Sequence, residues 1–129
     1  MSPQSCDPAR DPYVSLASFR RDGREVRTPV WIAGEAGRWF VFSEGGAGKV
    51  KRIRAGGRVR LAACSATGRV KSGWIEGRAR ILREPGEIAL AYRQLHRKYG
   101  WQMALGDFFS KLTGRYAKRA ILEIRTGEG

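Results

Sequence analysis

Eight basic residues stand between Gly45 and Ile75 with no acid among them: Lys49, Lys51, Arg52, Arg54, Arg58, Arg60, Arg69 and Lys71. The first of them follows a glycine-rich stretch, Gly45-Gly-Ala-Gly48, that leads into a short helix over the next few residues. Val50 and Ile53 stand three apart and would bury one side of that helix, with Lys49 and Arg52 on the neighbouring stripe. A helix N-terminus offers unpaired N–H groups and the positive end of the helix dipole. Together these features make a candidate phosphate cradle. The spacing is neither that of a P-loop nor that of a dinucleotide fingerprint, and a solvated basic helix face would have the same composition.

The charge is also global. Twenty-five Lys and Arg face twelve acids, a formal net charge of +13. Such an excess attracts polyanions, whether nucleic acid, an acidic membrane surface or a multiply anionic cofactor. For nucleic acid, Trp74 and Trp39 near the basic strand Arg58–Arg60 would have to form a stacking platform. No helix-turn-helix, zinc or RNA-recognition signature accompanies them, and Glu76 beside Trp74 would repel phosphate. Nucleic acid therefore ranks below a small anionic ligand.

Other reactive side chains are scarce. His96 is the one histidine, so no histidine cluster can hold a metal. Its position inside an amphipathic helix argues against a Ser-His-Asp triad. The two cysteines, Cys6 and Cys64, do not make a disulfide framework, and Cys64 reads as a small buried apolar residue. Without a cluster of acid, base and nucleophile, any chemistry falls to a cofactor that the protein binds and orients.

The elements that must position these residues are mostly strands. Residues 1–12 contain three prolines and no apolar pattern, and read as a flexible arm before a domain at 13–126. Alternation predicts strands over Tyr13–Phe19, Glu25–Ala33 and Arg38–Ser43, joined by turns at Arg21–Gly23 and Gly34–Gly37. These three form a predicted antiparallel meander. Strands follow over Arg58–Cys64 and Ser72–Leu82, and Gly77 in the second suits a close backbone approach. Glu84-Pro85 opens a helix with Ile88, Tyr92, Leu95 and Tyr99 at core spacing and Gly100 at its end. A second amphipathic helix is read from Trp101 to Leu112, and a last strand over Ala117–Arg125. The expectation is a mainly β protein, a barrel with accessory helices. No apolar run reaches the ~20 residues that span a bilayer, and the N-terminus has no signal-peptide core. A cytoplasmic protein is expected.

Four segments carry a family resemblance: Thr28-Pro-Val-Trp31, Lys49-Val-Lys-Arg-Ile53, Val59-Arg-Leu-Ala-Ala-Cys64 and Glu76-Gly-Arg-Ala-Arg80. Their order and spacing resemble the pyridoxamine 5'-phosphate oxidase-like split-barrel superfamily. Within it they look most like the deazaflavin-dependent oxidoreductases that use coenzyme F420. Arg97-Lys-Tyr-Gly100 and Ala120-Ile-Leu-Glu-Ile-Arg125 extend the likeness, which covers roughly residues 12–126. The resemblance implies a split β-barrel homodimer with the cofactor at the interface. It implies that Thr28, Pro29, Val30 and Trp31 line the tricyclic ring, largely through backbone groups. Lys49, then Lys51 and Arg52, would hold the cofactor phosphate, and Ser43 would donate to it. The implied activity is hydride transfer from reduced F420 to an electron-poor organic acceptor. FMN is the alternative cofactor, and a non-catalytic cofactor carrier the alternative role. The charge excess suits the phosphate and polyglutamate tail of F420 better than the single phosphate of FMN.

Overall fold

The computed structural model describes residues 6–44, 57–100 and 119–127. They form seven strands and one helix: β1 (Val14–Phe19), β2 (Glu25–Val30), β3 (Ile32–Glu35), β4 (Arg38–Glu44), β5 (Arg58–Ala63), β6 (Ile75–Ile81), α1 (Pro85–Tyr99) and β7 (Arg119–Thr126). The helices read at residues 44–54 and 101–112 lie outside the described residues, apart from Glu44, which ends β4.

All pairings are antiparallel, and the order across the sheet is β2-β1-β5-β6-β7-β4-β3. β2 and β3 therefore stand at opposite edges although only Trp31 separates them in the chain. A one-residue link cannot cross a flat seven-stranded sheet, whose neighbours are ~4.8 Å apart. The sheet must curl until the end of β2 reaches the start of β3, as in a barrel.

This corrects the predicted meander. The single strand read over Glu25–Ala33 breaks at Trp31; its first half pairs with β1 and its second with β4. The alternation runs unbroken through Trp31, because Val30 and Ile32 both point into the barrel core, at 7% and 0% exposure. Burial pattern alone cannot reveal a change of partner.

The barrel interior holds Val14, Leu16, Val30, Ile32, Trp39, Val41, Val59, Leu61, Ala79, Leu122 and Ile124. The inward face expected of β6 is observed, with Ile75 and Ile81 packed on this cluster. At Gly77 an added Cβ would stand 3.0 Å from the Arg125 carbonyl oxygen and from Ile124, which is the close approach expected there. A second apolar layer lies outside the barrel, where Ala91 of α1 packs with Phe40, Leu82 and Ile121, and Leu95 and Tyr99 with Ala33. α1 begins at Pro85, carries Glu87 in its first turn and His96, Arg97 and Lys98 in its last, an order that complements the helix dipole.

β3 and β4 are joined by Ala36 and Gly37, with φ of 54° and 80°. Two left-handed residues in a two-residue hairpin define a type I′ turn, which favours Asn-Gly. Ala36 bears the steric cost of that conformation. Ala36→Asn is expected to stabilise the fold by about 1 kcal/mol, read as a raised midpoint in urea unfolding with an unchanged slope.

Candidate functional site

β2 pairs only with β1 and leaves one edge open among the described residues. Pro29 sits on this edge strand, opposite Ser15, where its missing N–H disrupts no ladder. Pro29 is exposed, Thr28 half-buried and Val30 buried. Thr28, Pro29 and Val30 thus lie on a strand with one unpaired edge among the described residues.

Trp31 stands at the break between the two edge strands. Its indole stacks on Tyr99, with centroids 4.6 Å apart and planes 7° from parallel. The Tyr99 hydroxyl accepts the Ile32 N–H at 3.0 Å and donates toward the Pro12 and Ile32 carbonyls at 2.9 and 3.1 Å. Burial pushes this phenol up to about 12, so it stays protonated at neutral pH. Tyr99 is a core residue, as its spacing predicts, and it also fixes the backbone where the sheet changes edges. Its hydroxyl role had no sequence signal beyond the residue type.

Lys98 completes this junction. Its ammonium donates to the carbonyls of Pro8, Asp11 and Ile32 at 2.7, 2.6 and 2.6 Å. Burial lowers its pKa to about 8, against the pull of Asp11 and Asp7. The N-terminal segment, expected as a flexible arm, is therefore held at residues 6–12. The Asp7 carbonyl accepts the Arg10 and Asp11 N–H groups in a turn, and Cys6 lies in the barrel core at 7% exposure. The sequence reading missed this because a proline-rich stretch without apolar periodicity has no repeat by which to show burial. Lys98→Ala should free the segment, so that trypsin cleaves after Arg10 at least about tenfold faster than in the parent chain, as measured by intact-mass time courses.

Both cysteines are buried. Burial pushes the Cys6 thiol up to about 12, helped by Asp11 and Asp7, and also raises Cys64. Neither supplies a thiolate at neutral pH. His96 lies on α1, its ring 6.5 Å from that of Tyr92, and no group of metal-ligating side chains occurs among the described residues.

The remaining sequence-predicted residues are less gathered. Ser43 lies on β4 in register with Ala120 of β7, and its side chain is outside the described residues. Lys49, Lys51 and Arg52 also lie outside them.

The stacking platform required for nucleic acid does not form. Trp39 is buried, and its indole N–H donates to the Thr126 hydroxyl at 2.8 Å. Arg27 and Arg60 stand over the Trp74 ring at 4.6 and 4.8 Å. They belong to β2 and β5, on either side of β1, about 9.5 Å apart by strand spacing. Both guanidiniums thus contact the one ring, and Glu25 is bonded to both at 2.8 and 3.0 Å.

One buried charge escaped the sequence reading. Glu123, 1% exposed on β7, accepts from the Nε atoms of Arg38, Arg80 and Arg125 at 2.6, 3.0 and 3.2 Å. Glu87 of α1 adds contacts to Arg80 at 2.6 Å and Arg38 at 3.4 Å. Burial alone would raise the Glu123 carboxyl, but the three guanidiniums outweigh it and hold the group at about 2. This network ties β4, β6 and β7 to the helix and acts in stability rather than in chemistry.

No family model matches the chain, and no curated protein matches it. Solved structures do. The chain is similar to a haem storage protein, HutZ, from Vibrio cholerae, at 13% identity and TM-score 0.68, over 92% of this chain and 84% of that one. It is similar to an F420 reductase at 18% identity and TM-score 0.58, over 92% and 89%. It is also similar to an FAD-binding protein from Mesorhizobium loti at 21% identity and TM-score 0.58, over 91% and 80%. The fold is thus the split β-barrel that the sequence resemblance implied. Among the described residues, no helix is long and apolar enough to cross a membrane.

Proposed function

From the split-barrel fold that this chain shares with an F420 reductase and an FAD-binding protein, we propose that it is a deazaflavin-dependent reductase. The reading rests most on the open edge of β2. Thr28–Trp31 offers backbone donors and acceptors there, and Trp31 is braced from behind by Tyr99. A planar tricyclic ring fits such an edge. When bound, reduced F420 supplies a hydride to an electron-poor double bond or a similar acceptor. The chain's own part is to bind and orient. Lys49, Lys51 and Arg52 hold the phosphate with Ser43 as a further donor, and a second copy of the chain completes the pocket in a cytoplasmic homodimer. The net charge of +13 favours the multiply anionic F420 over FMN.

Turnover separates a reductase from a carrier. Purified protein with reduced F420 and an electron-poor enone is expected to oxidise the cofactor in proportion to the acceptor consumed. Saturable cofactor binding without acceptor-dependent oxidation would make the chain a carrier instead. A haem role like that of the storage protein has less support, since His96 is the one histidine and it faces Tyr92 on a packed helix.

A further inference from the structure

The outer face of the barrel carries arginines in direct cross-strand register. Arg58 of β5 faces Arg78 of β6, and Arg78 faces Arg125 of β7. Like charges placed opposite one another in a sheet are unfavourable, so such a row attracts counter-charge. The chain itself gives each of the three a partner. Glu76 contacts Arg58 at 3.2 Å, and the single charge of Glu123 is shared among Arg125, Arg38 and Arg80. The row lines an open groove of about 340 Å³, completed by Glu76, Gly77 and Gly127.

We propose that Arg58, Arg78 and Arg125 form an oxyanion subsite that takes the phosphate group of a small molecule. The three arginines rise from adjacent strands, whose spacing is about 4.8 Å, and all three line the same groove, so their long side chains can converge on one phosphate. The planar fork of arginine matches phosphate oxygens two at a time. Arg58 is held ready by the Phe19 ring, 4.5 Å below its guanidinium, and by Glu76. Arg125 is anchored through its Nε to Glu123 at 3.2 Å and also lines the groove. At about 340 Å³ the groove has the size of a small-molecule site, which favours a small phosphorylated compound over a polymer backbone. The subsite does not depend on Lys49, Lys51 or Arg52, and so stands or falls apart from the cofactor reading.

The test follows the arginine Nε–H resonances by NMR during titration with inorganic phosphate against chloride at matched ionic strength. Saturable shifts of Arg58, Arg78 and Arg125 are expected, with exposed Arg10 and Arg24 unmoved. Arg78→Gln should weaken phosphate binding at Arg58 and Arg125 at least about tenfold while the exposed Arg24→Gln leaves it unchanged; Arg78→Lys, which keeps the charge but not the fork, should fall between. A preserved spectrum elsewhere in each variant shows that folding is not the cause. Equal shifts at all exposed arginines would overturn the proposal. So would a phosphate response at Arg58 and Arg125 that survives Arg78→Gln unchanged, or a response of these resonances to a short single-stranded oligonucleotide and not to phosphate.

Discussion

Glu123→Gln is expected to lose about 3 kcal/mol of folding stability at neutral pH, because it leaves three guanidiniums around a neutral group. The figure agrees with the linkage. The Glu123 carboxyl lies at about 2 against an ordinary 4.5, and each unit of difference is worth ~1.4 kcal/mol. The sign follows from the depressed value. Above about 4.5 the carboxylate is ionised in both folded and unfolded chains, and its stabilisation is fully present. As the pH falls from there through about 2, the unfolded chain takes up the proton first and the contribution disappears. Urea unfolding of the parent chain should therefore weaken across this window, while Glu123→Gln should be flatter there. Glu76→Gln is the control. Glu76 is 63% exposed and pairs with a half-exposed Arg58, so its loss should cost less than ~1 kcal/mol.

Gly34→Ala should be comparably damaging for a different reason. Gly34 lies on β3 opposite Trp39, with φ of +145°. A Cβ placed there would meet the Arg38 carbonyl oxygen at 2.2 Å and the Trp39 Cα at 3.0 Å. Backbone atoms of a paired strand cannot swing aside as a side-chain tip can. The β3–β4 hairpin must shift, at a cost of about 3 kcal/mol from overpacking and strain together. Because β3 continues from Trp31, the shift should also loosen the stack on Tyr99. Thermal unfolding should record the loss, and near-ultraviolet circular dichroism the altered Trp31 environment. Gly86→Ala provides the contrast, since nothing lies within 4 Å of a Cβ at Gly86.

The strands and the helix over residues 85–99 were legible because each buries one face at a regular spacing. Ile75 and Ile81 on β6, or Leu95 and Tyr99 on α1, announce themselves by period. Pairing was less legible. Val30 and Ile32 satisfy the same inward pattern whether one strand continues or two part at Trp31, so the closure of the barrel could not be read from alternation. Polar roles inside the fold were least legible. Lys98 looks like any basic residue near a helix end, yet it holds three carbonyls from segments distant in the chain. Glu123 sits in an alternating strand as an ordinary outward acid, and only the convergence of Arg38, Arg80 and Arg125 with α1 buries it. For the candidate site, Thr28, Pro29 and Val30 fall on edge strand β2 and Trp31 on the link that follows it, while their role toward a ring rests on the sequence resemblance. The basic segment Lys49–Arg52 rests on sequence alone.

The central claim is that this split barrel binds a deazaflavin, and a parallel titration with coenzyme F420 and with FMN, followed by tryptophan fluorescence, tests it most directly. The account predicts saturable quenching with tighter binding of F420, weakened at least about tenfold in Lys49→Ala by loss of a charge-assisted phosphate contact and reduced in amplitude in Trp31→Phe. Absence of saturable binding for both cofactors would contradict it, and tighter binding of FMN than of F420 would contradict its choice of cofactor.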